Sequence, residues 1–275
     1  MNKLEYIPGI GGQSVQLDGP TSFVGTAENL RSREWTYELG YRDLTSATRP
    51  AREVDVKFYA QFADADAFRR VADADVMAGT PGTFLAQNEW KQRGYVLASK
   101  PDAIHYGNLV TELKVALLDG AWWRLVTQTF MPPEEDGEDV YLDYPFDYPY
   151  DYMQTSRTAS VESSVLTPCD VYLVIYGPAV NPYVIVGGNK YQVNVTVPAG
   201  GYLIVDGREK TIVTTLADGT TRNDFAYGVR GGGAGGGTYI FEKIQPGQQE
   251  VTYSGSFGFD LGWYEEEGEP PWSLS

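Results

Sequence analysis

At 275 residues with 42% hydrophobic side chains, the chain is long enough for two domains with real cores, which excludes wholesale disorder. A formal charge of −16 without any cluster of Lys and Arg excludes a groove that grips a phosphate backbone. A single cysteine and a single histidine rule out an intrachain disulfide and a Cys₂His₂ or Cys₄ zinc site.

Residues 1–6 lack the apolar stretch of a signal peptide, and no segment reaches the ~18–20 apolar residues of a membrane span. The sequence therefore predicts synthesis in a cytoplasm without an N-terminal export signal. A first region runs to about residue 130. Residues 52–60 alternate, with Val54, Val56 and Phe58 on one side and Glu53, Asp55 and Lys57 on the other, which predicts a half-buried strand. One helix is predicted over 64–77, with Asp64 as N-cap, Phe68, Val71 and Ala72 on one face, and Gly79 and Pro81 ending it. Residues 109–117 alternate again and run into a turn at Asp119-Gly120 before Trp122 and Trp123. Strand, helix and strands describe an α+β unit dominated by its sheet.

Residues 131–159 break that composition. Eight acidic residues between 131 and 152 have no Lys or Arg among them, and a four-residue step repeats through Tyr144-Pro145, Tyr148-Pro149 and Asp151-Tyr152. Pro145 and Pro149 forbid a regular helix and push their predecessors to extended geometry. A solvated linker has no use for Tyr144, Phe146, Tyr148, Tyr150 and Tyr152 within ten residues. We read the segment as an extended strap whose rings dock on a neighbouring domain or subunit. Residues 160–275 then read as strand after strand: 171–176, a hairpin of 183–186 and 191–197 around Gly187-Gly188, a second hairpin of 202–205 and 211–215, and strands at 239–244, 248–254 and 257–261. That density of strands and turns predicts a β-sandwich.

No catalytic residue, cofactor or metal is expected. His105 lacks a nucleophile elbow to serve, and Cys169 has an acidic neighbour in Asp170 where a reactive thiol wants positive charge. The Gly-rich run 229–237 lacks the Lys-Ser/Thr of a phosphate loop and leads into an apolar run, so it predicts a mobile loop. The acidic strap lacks calcium-loop spacing and the rigid support that catalytic carboxylates need.

An ordered series of turns runs through the third region: Gly177-Pro178, Asn181-Pro182, Tyr191, the stretch 201–206, Lys210-Thr211, Asn223-Asp224-Phe225, the stretch 241–247, and Glu269-Pro270-Pro271-Trp272. With the Tyr-Pro repeat before it, and more loosely residues 52–56 and the helix, this series resembles the distal tail proteins of siphophages that infect Gram-positive bacteria. The resemblance implies a mainly β chain. An α+β, split-barrel-like belt domain with one helix (1–130) would close into a homohexameric ring. A linker strap (131–159) would lead to a galectin-like β-sandwich (160–275). It implies a place in the virion at the tail tip, with the tail tube protein, the tail-associated tip protein and a receptor-binding protein as partners, and DNA only passing through the channel. An acidic lumen would keep that DNA from sticking. The alternative is a carbohydrate-binding module for the host wall, with Tyr227, Trp263 or Trp272 as the ring that stacks on a sugar.

Overall fold

The computed structural model describes residues 4–132, 157–232 and 237–271, and contact density divides the chain into two compact units. One comprises 1–124 together with 266–275, the other 125–265. Residues 266–271, contiguous in sequence with the third region, thus fold with the first unit.

In the first unit, β1 (Leu4–Ile7), β2 (Val15–Gln16) and β3 (Ser22–Val24) precede a short helix α1 (Ala27–Arg31) and a separate hairpin, β4 (Thr36–Leu39) and β5 (Leu44–Thr48). Next come β6 (Arg52–Gln61), α2 (Phe62–Ala78), β7 (Gly82–Ala86), β8 (Trp90–His105), β9 (Asn108–Leu117) and β10 (Trp122–Phe130), in whose course the chain passes into the second unit. The sheet has the order β2-β1-β7-β8-β9-β6-β3, all antiparallel. The β6–β9 pairing runs unbroken from Arg52–Leu117 to Gln61–Asn108 and holds Val56, Phe58, Leu113, Val115 and Leu117 in the core. The helix lays Phe68 and Ala72, one turn apart, on that core, with Phe68 edge-on to Tyr6 at 5.4 Å.

Two expectations are corrected here. The helix starts at Phe62 with Gln61 as N-cap, so Asp64 lies inside its first turn, where its charge favours the helix dipole. A second helix, α1, is also present. Its five residues are too few to show a helical period in sequence, and Leu30 and Arg31 are both buried. Gly79 ends α2 in the left-handed conformation, as its position predicts.

A buried polar contact ties the N-terminal strand to the helix. Asp75, fully buried on the last turns of α2, accepts the Tyr6 hydroxyl at 2.6 Å and the Ile10 amide at 2.9 Å. Burial and the adjacent Asp75 carboxylate push the Tyr6 phenol far up, so it stays a donor. Gly82 makes room for the ring: a Cβ there would lie 2.2 Å from Tyr6 Cζ.

The second unit packs two sheets over one core. One contains β12 (Asp170–Tyr176), β17 (Tyr202–Asp206), β18 (Thr211–Thr215), β19 (Thr221–Asn223) and β21 (Phe259–Glu267), with the second half of β10 beside β21. The other has the order β11 (Arg157–Ser163), β20 (Gly247–Tyr253), β14 (Tyr183–Val186), β15 (Asn189–Gln192). A two-residue pair, β13 (Ala179–Val180) with β16 (Thr196–Val197), closes one corner. Leu173, Ile175, Leu203 and Val205 from the first sheet meet Val161, Val184 and Val251 from the second.

Three strand expectations change. Residues 191–197 do bury Tyr191, Val193, Val195 and Val197, but the chain leaves β14 after Gln192 and pairs with β13 from Thr196. The apolar run 239–244 is no strand: it plugs the core, with Ile240, Phe241 and Ile244 buried. Its backbone is held point by point, Tyr239 O by the Asn189 amide, Glu242 O by the Tyr191 hydroxyl, and Ile244 by a bridge to Cys169. The last strand starts at Phe259 and continues through Trp263 to Glu267.

Candidate assembly surfaces

The β4–β5 hairpin stands apart from the rest of the first unit. It forms a two-stranded sheet of its own, and every residue of both strands is exposed. Its register places Tyr37 opposite Ala47 and, across a bulge, Leu39 opposite Leu44, so apolar side chains meet across the pair. Tyr37, Leu39, Tyr41 and Leu44 are 59%, 71%, 92% and 58% exposed. The Gly40 amide donates to Asp43 O at 3.0 Å to close the turn, and the Arg42 guanidinium lies over the Tyr41 ring at 5.2 Å. At the base, Arg49 sits over Trp35 at 5.0 Å and Arg52 donates to Ser32. The hairpin is thus anchored at its root and bare along its length.

The tip of the β8–β9 hairpin is a second projection. Tyr106 and Gly107 both take positive φ (50° and 80°), the geometry of a tight two-residue turn. Ile104 and Tyr106 flank His105 there, all exposed, with Tyr106 free on every side. Exposed charges pair between strands: Glu53 on β6 with Lys114 on β9 at 3.3 Å, and Lys57 on β6 with Asp102 on β8 at 3.9 Å. Among the described residues, no three His, Cys, Asp or Glu side chains cluster as a metal site. A groove of about 270 Å³ lies between α2 and the strands, lined by Phe58, Phe68, Ala72, Leu97, Thr111 and Leu113. Arg69 and Asp73 also line it.

No protein-family model matches this sequence, and no curated protein matches it. Solved structures do match. One is the Dit protein of phage SPP1, described as a paradigm of the hub adsorption apparatus in phages that infect Gram-positive bacteria. The TM-score is 0.54 at 12% identity, over 96% of this chain and 99% of that one. A second is from the baseplate of phage P2 in its activated conformation with calcium, at TM-score 0.55 and 12% identity over 95% and 98%. The same baseplate with strontium gives 0.54 and 11% over 95% and 98%. This chain has the Dit fold.

The Dit-fold frame locates the residues singled out by sequence. Tyr144, Phe146, Tyr148, Tyr150 and Tyr152 of the strap lie outside the described residues, as do Trp272 and residues 233–236 of the Gly-rich run. Trp263 is corrected as a stacking ring: it is 3% exposed, points into the core of the second unit, and donates Nε1–H to Glu265 at 3.2 Å. Tyr227 keeps an open face at 54% exposure, near Phe225, whose ring carries the Arg230 guanidinium at 4.2 Å. Cys169 is buried, 3.5 Å from the Ser163 hydroxyl. Sequence reasoning missed the β4–β5 hairpin altogether, although Tyr37, Leu39 and Leu44 alternate with polar residues around the Gly40 turn. That alternation was the available signal.

Proposed function

We propose that this chain is a structural hub of a siphophage tail tip and not an enzyme. Its first unit closes with five copies of itself into a ring. The ring joins the tail tube to the tail-associated tip protein and a receptor-binding protein, and DNA passes through its channel. One observation carries this reading. A two-stranded hairpin is at best marginal in water alone, yet β4–β5 exposes Tyr37, Leu39, Tyr41 and Leu44 over its length. Apolar surface of that kind marks a partner site, and tyrosines anchor interfaces at small entropic cost. Its occupant in a ring is the neighbouring copy, since most oligomers are symmetric assemblies of one chain. The shared fold with the SPP1 hub protein supports the same reading.

The acidic aromatic strap at 131–159 serves as a further contact, and carboxylates of the first unit face the channel, where they repel DNA. The second unit, galectin-like in this reading, projects outward in the virion. The test is the solution mass of the chain and of a Leu39→Asp, Tyr41→Ser variant. The wild-type protein forms hexamers, alone or with tail tube protein, and the variant stays monomeric with unchanged circular dichroism. A variant that assembles like the wild type would contradict the role of the hairpin. The competing reading, a wall-carbohydrate binder, keeps only Tyr227 of its described rings; glycan-array binding abolished by Tyr227→Ala would favour it.

A further inference from the structure

Residues 266–271 complete the first unit. Arg31, at the end of α1, is 1% exposed, and a buried guanidinium is strongly destabilising unless acceptors and an opposite charge accompany it. Two acceptors that meet it come from more than 200 residues further along the chain. Its Nη2 donates to Pro270 O at 3.0 Å and also to Pro271 O, spans of 239 and 240 residues. Burial lowers the Arg31 pKa, and the Glu269 carboxylate opposes that effect.

Other first-unit residues hold the same segment. Gln87, in the β7–β8 turn, donates Nε2–H to Pro271 O at 2.7 Å. Arg33 approaches Glu269 at 3.6 Å, and Arg49 approaches Glu266 at 3.7 Å. The segment's chemistry suits this role. Pro270 is buried, and a Pro-Pro pair offers carbonyl acceptors but has no amide protons to leave unsatisfied. It fits a cleft lined by donors.

We infer that residues 266–271 are a latch, which settles α1 and the β7–β8 turn only once those residues have been made. Synthesis runs from the N-terminus, and the whole second unit (125–265) separates Arg31 from its partners. A chain still lacking residues 266–271 leaves the buried Arg31 without the Pro270 and Pro271 carbonyls and the Glu269 carboxylate, beside the root of the β4–β5 hairpin. Incomplete chains are thereby kept from presenting a finished assembly surface; that last consequence rests on the hub reading, whereas the latch itself does not.

Two measurements test the latch, neither of which uses assembly as its readout. In hydrogen exchange on the full-length protein, Arg31→Ala speeds exchange of the 27–32, 86–90 and 266–271 peptides together, by about tenfold or more, while 171–175 and 203–205 keep their protection. Gln87→Ala does the same more weakly. Exchange that rises only in the tail, or not at all, would overturn the inference. In the second, ribosomes are stalled after the full 275 residues, with either a short linker that keeps the tail inside the exit tunnel or a long linker that frees it. The latch predicts protease cleavage around 27–32 with the short linker and resistance with the long one. Equal resistance with both would overturn it. A protein that passes both tests yet stays monomeric even with tail tube protein would retain the latch and lose the hub reading.

Discussion

Two hairpins of this chain share the antiparallel rule and differ in everything around it. In β17–β18 the register from Tyr202–Thr215 to Asp206–Thr211 turns Leu203, Val205 and Ile212 inward, where each is fully buried. In β4–β5 a comparable alternation leaves Tyr37, Leu39 and Leu44 in solvent. The first hairpin is half of a packed sandwich, and its apolar side chains stabilise the fold that contains them. The second has an apolar face without a sheet beneath it, so the same residue types stay in solvent, and the hub reading assigns them to a neighbouring copy. Burial, and not strand propensity, decides whether an alternating sequence is structural or adhesive.

A pair of substitutions of one residue type gives the largest expected contrast. Leu203→Ala removes buried methyl groups from the second unit and destabilises it by about 2–5 kcal/mol in urea denaturation. A smaller loss would mean that the β17–β18 core is looser than its burial implies. Polar burial sharpens the contrast next. Tyr6→Phe deprives the buried Asp75 of one of its two donors and costs about 1–3 kcal/mol; an unchanged denaturation midpoint would show that water replaces the hydroxyl.

The third expectation concerns pH. The Tyr176 hydroxyl donates to Asp260 at 2.6 Å, and this hydrogen bond is the main reason its pKa is pushed up to about 12, with burial second. A folded pKa above the unfolded value near 10 means the native state holds its proton longer. The contribution is therefore whole below pH ~10 and is lost as pH rises through about 12. Tyr176 is 37% exposed, so solvent screening limits the effect to about 1 kcal/mol or less. Alkaline denaturation of the wild type and of Tyr176→Phe should converge above that window, and parallel curves would contradict it. The smallest effect on stability falls on the bare hairpin: Leu39→Ala stays within about 0.5 kcal/mol of the wild type as an isolated chain. A loss like that of Leu203→Ala would place Leu39 in a core and end the comparison.

The sequence made β6 and β9 legible through their alternation, β12 through a continuous apolar run and α2 through its apolar face, and Gly79 needed only its chemistry to be placed. Strand β8 was missed because its inward positions include Gln92, buried at 1%, and Gly94, which break the apolar signal without breaking the strand. The run 239–244 was misread because a buried loop and a strand are equally apolar. Trp263 was misassigned for a related reason. The inward row Phe259, Leu261, Trp263 continues to Glu265, and a charge at that position hides the alternation. Glu265 tolerates burial because Ser164 gives it both its amide and its hydroxyl at 2.9 Å. The contacts of Arg31 lie beyond any local pattern, since their partners are more than 200 residues away.

In the proposed hub, the exposed apolar hairpin builds the ring. Negative-stain imaging of the purified protein, alone and mixed with tail tube protein, tests it most directly. Six-fold rings that vanish with Leu39→Asp are the predicted result; dispersed single particles in both preparations, or rings indifferent to that substitution, would contradict it.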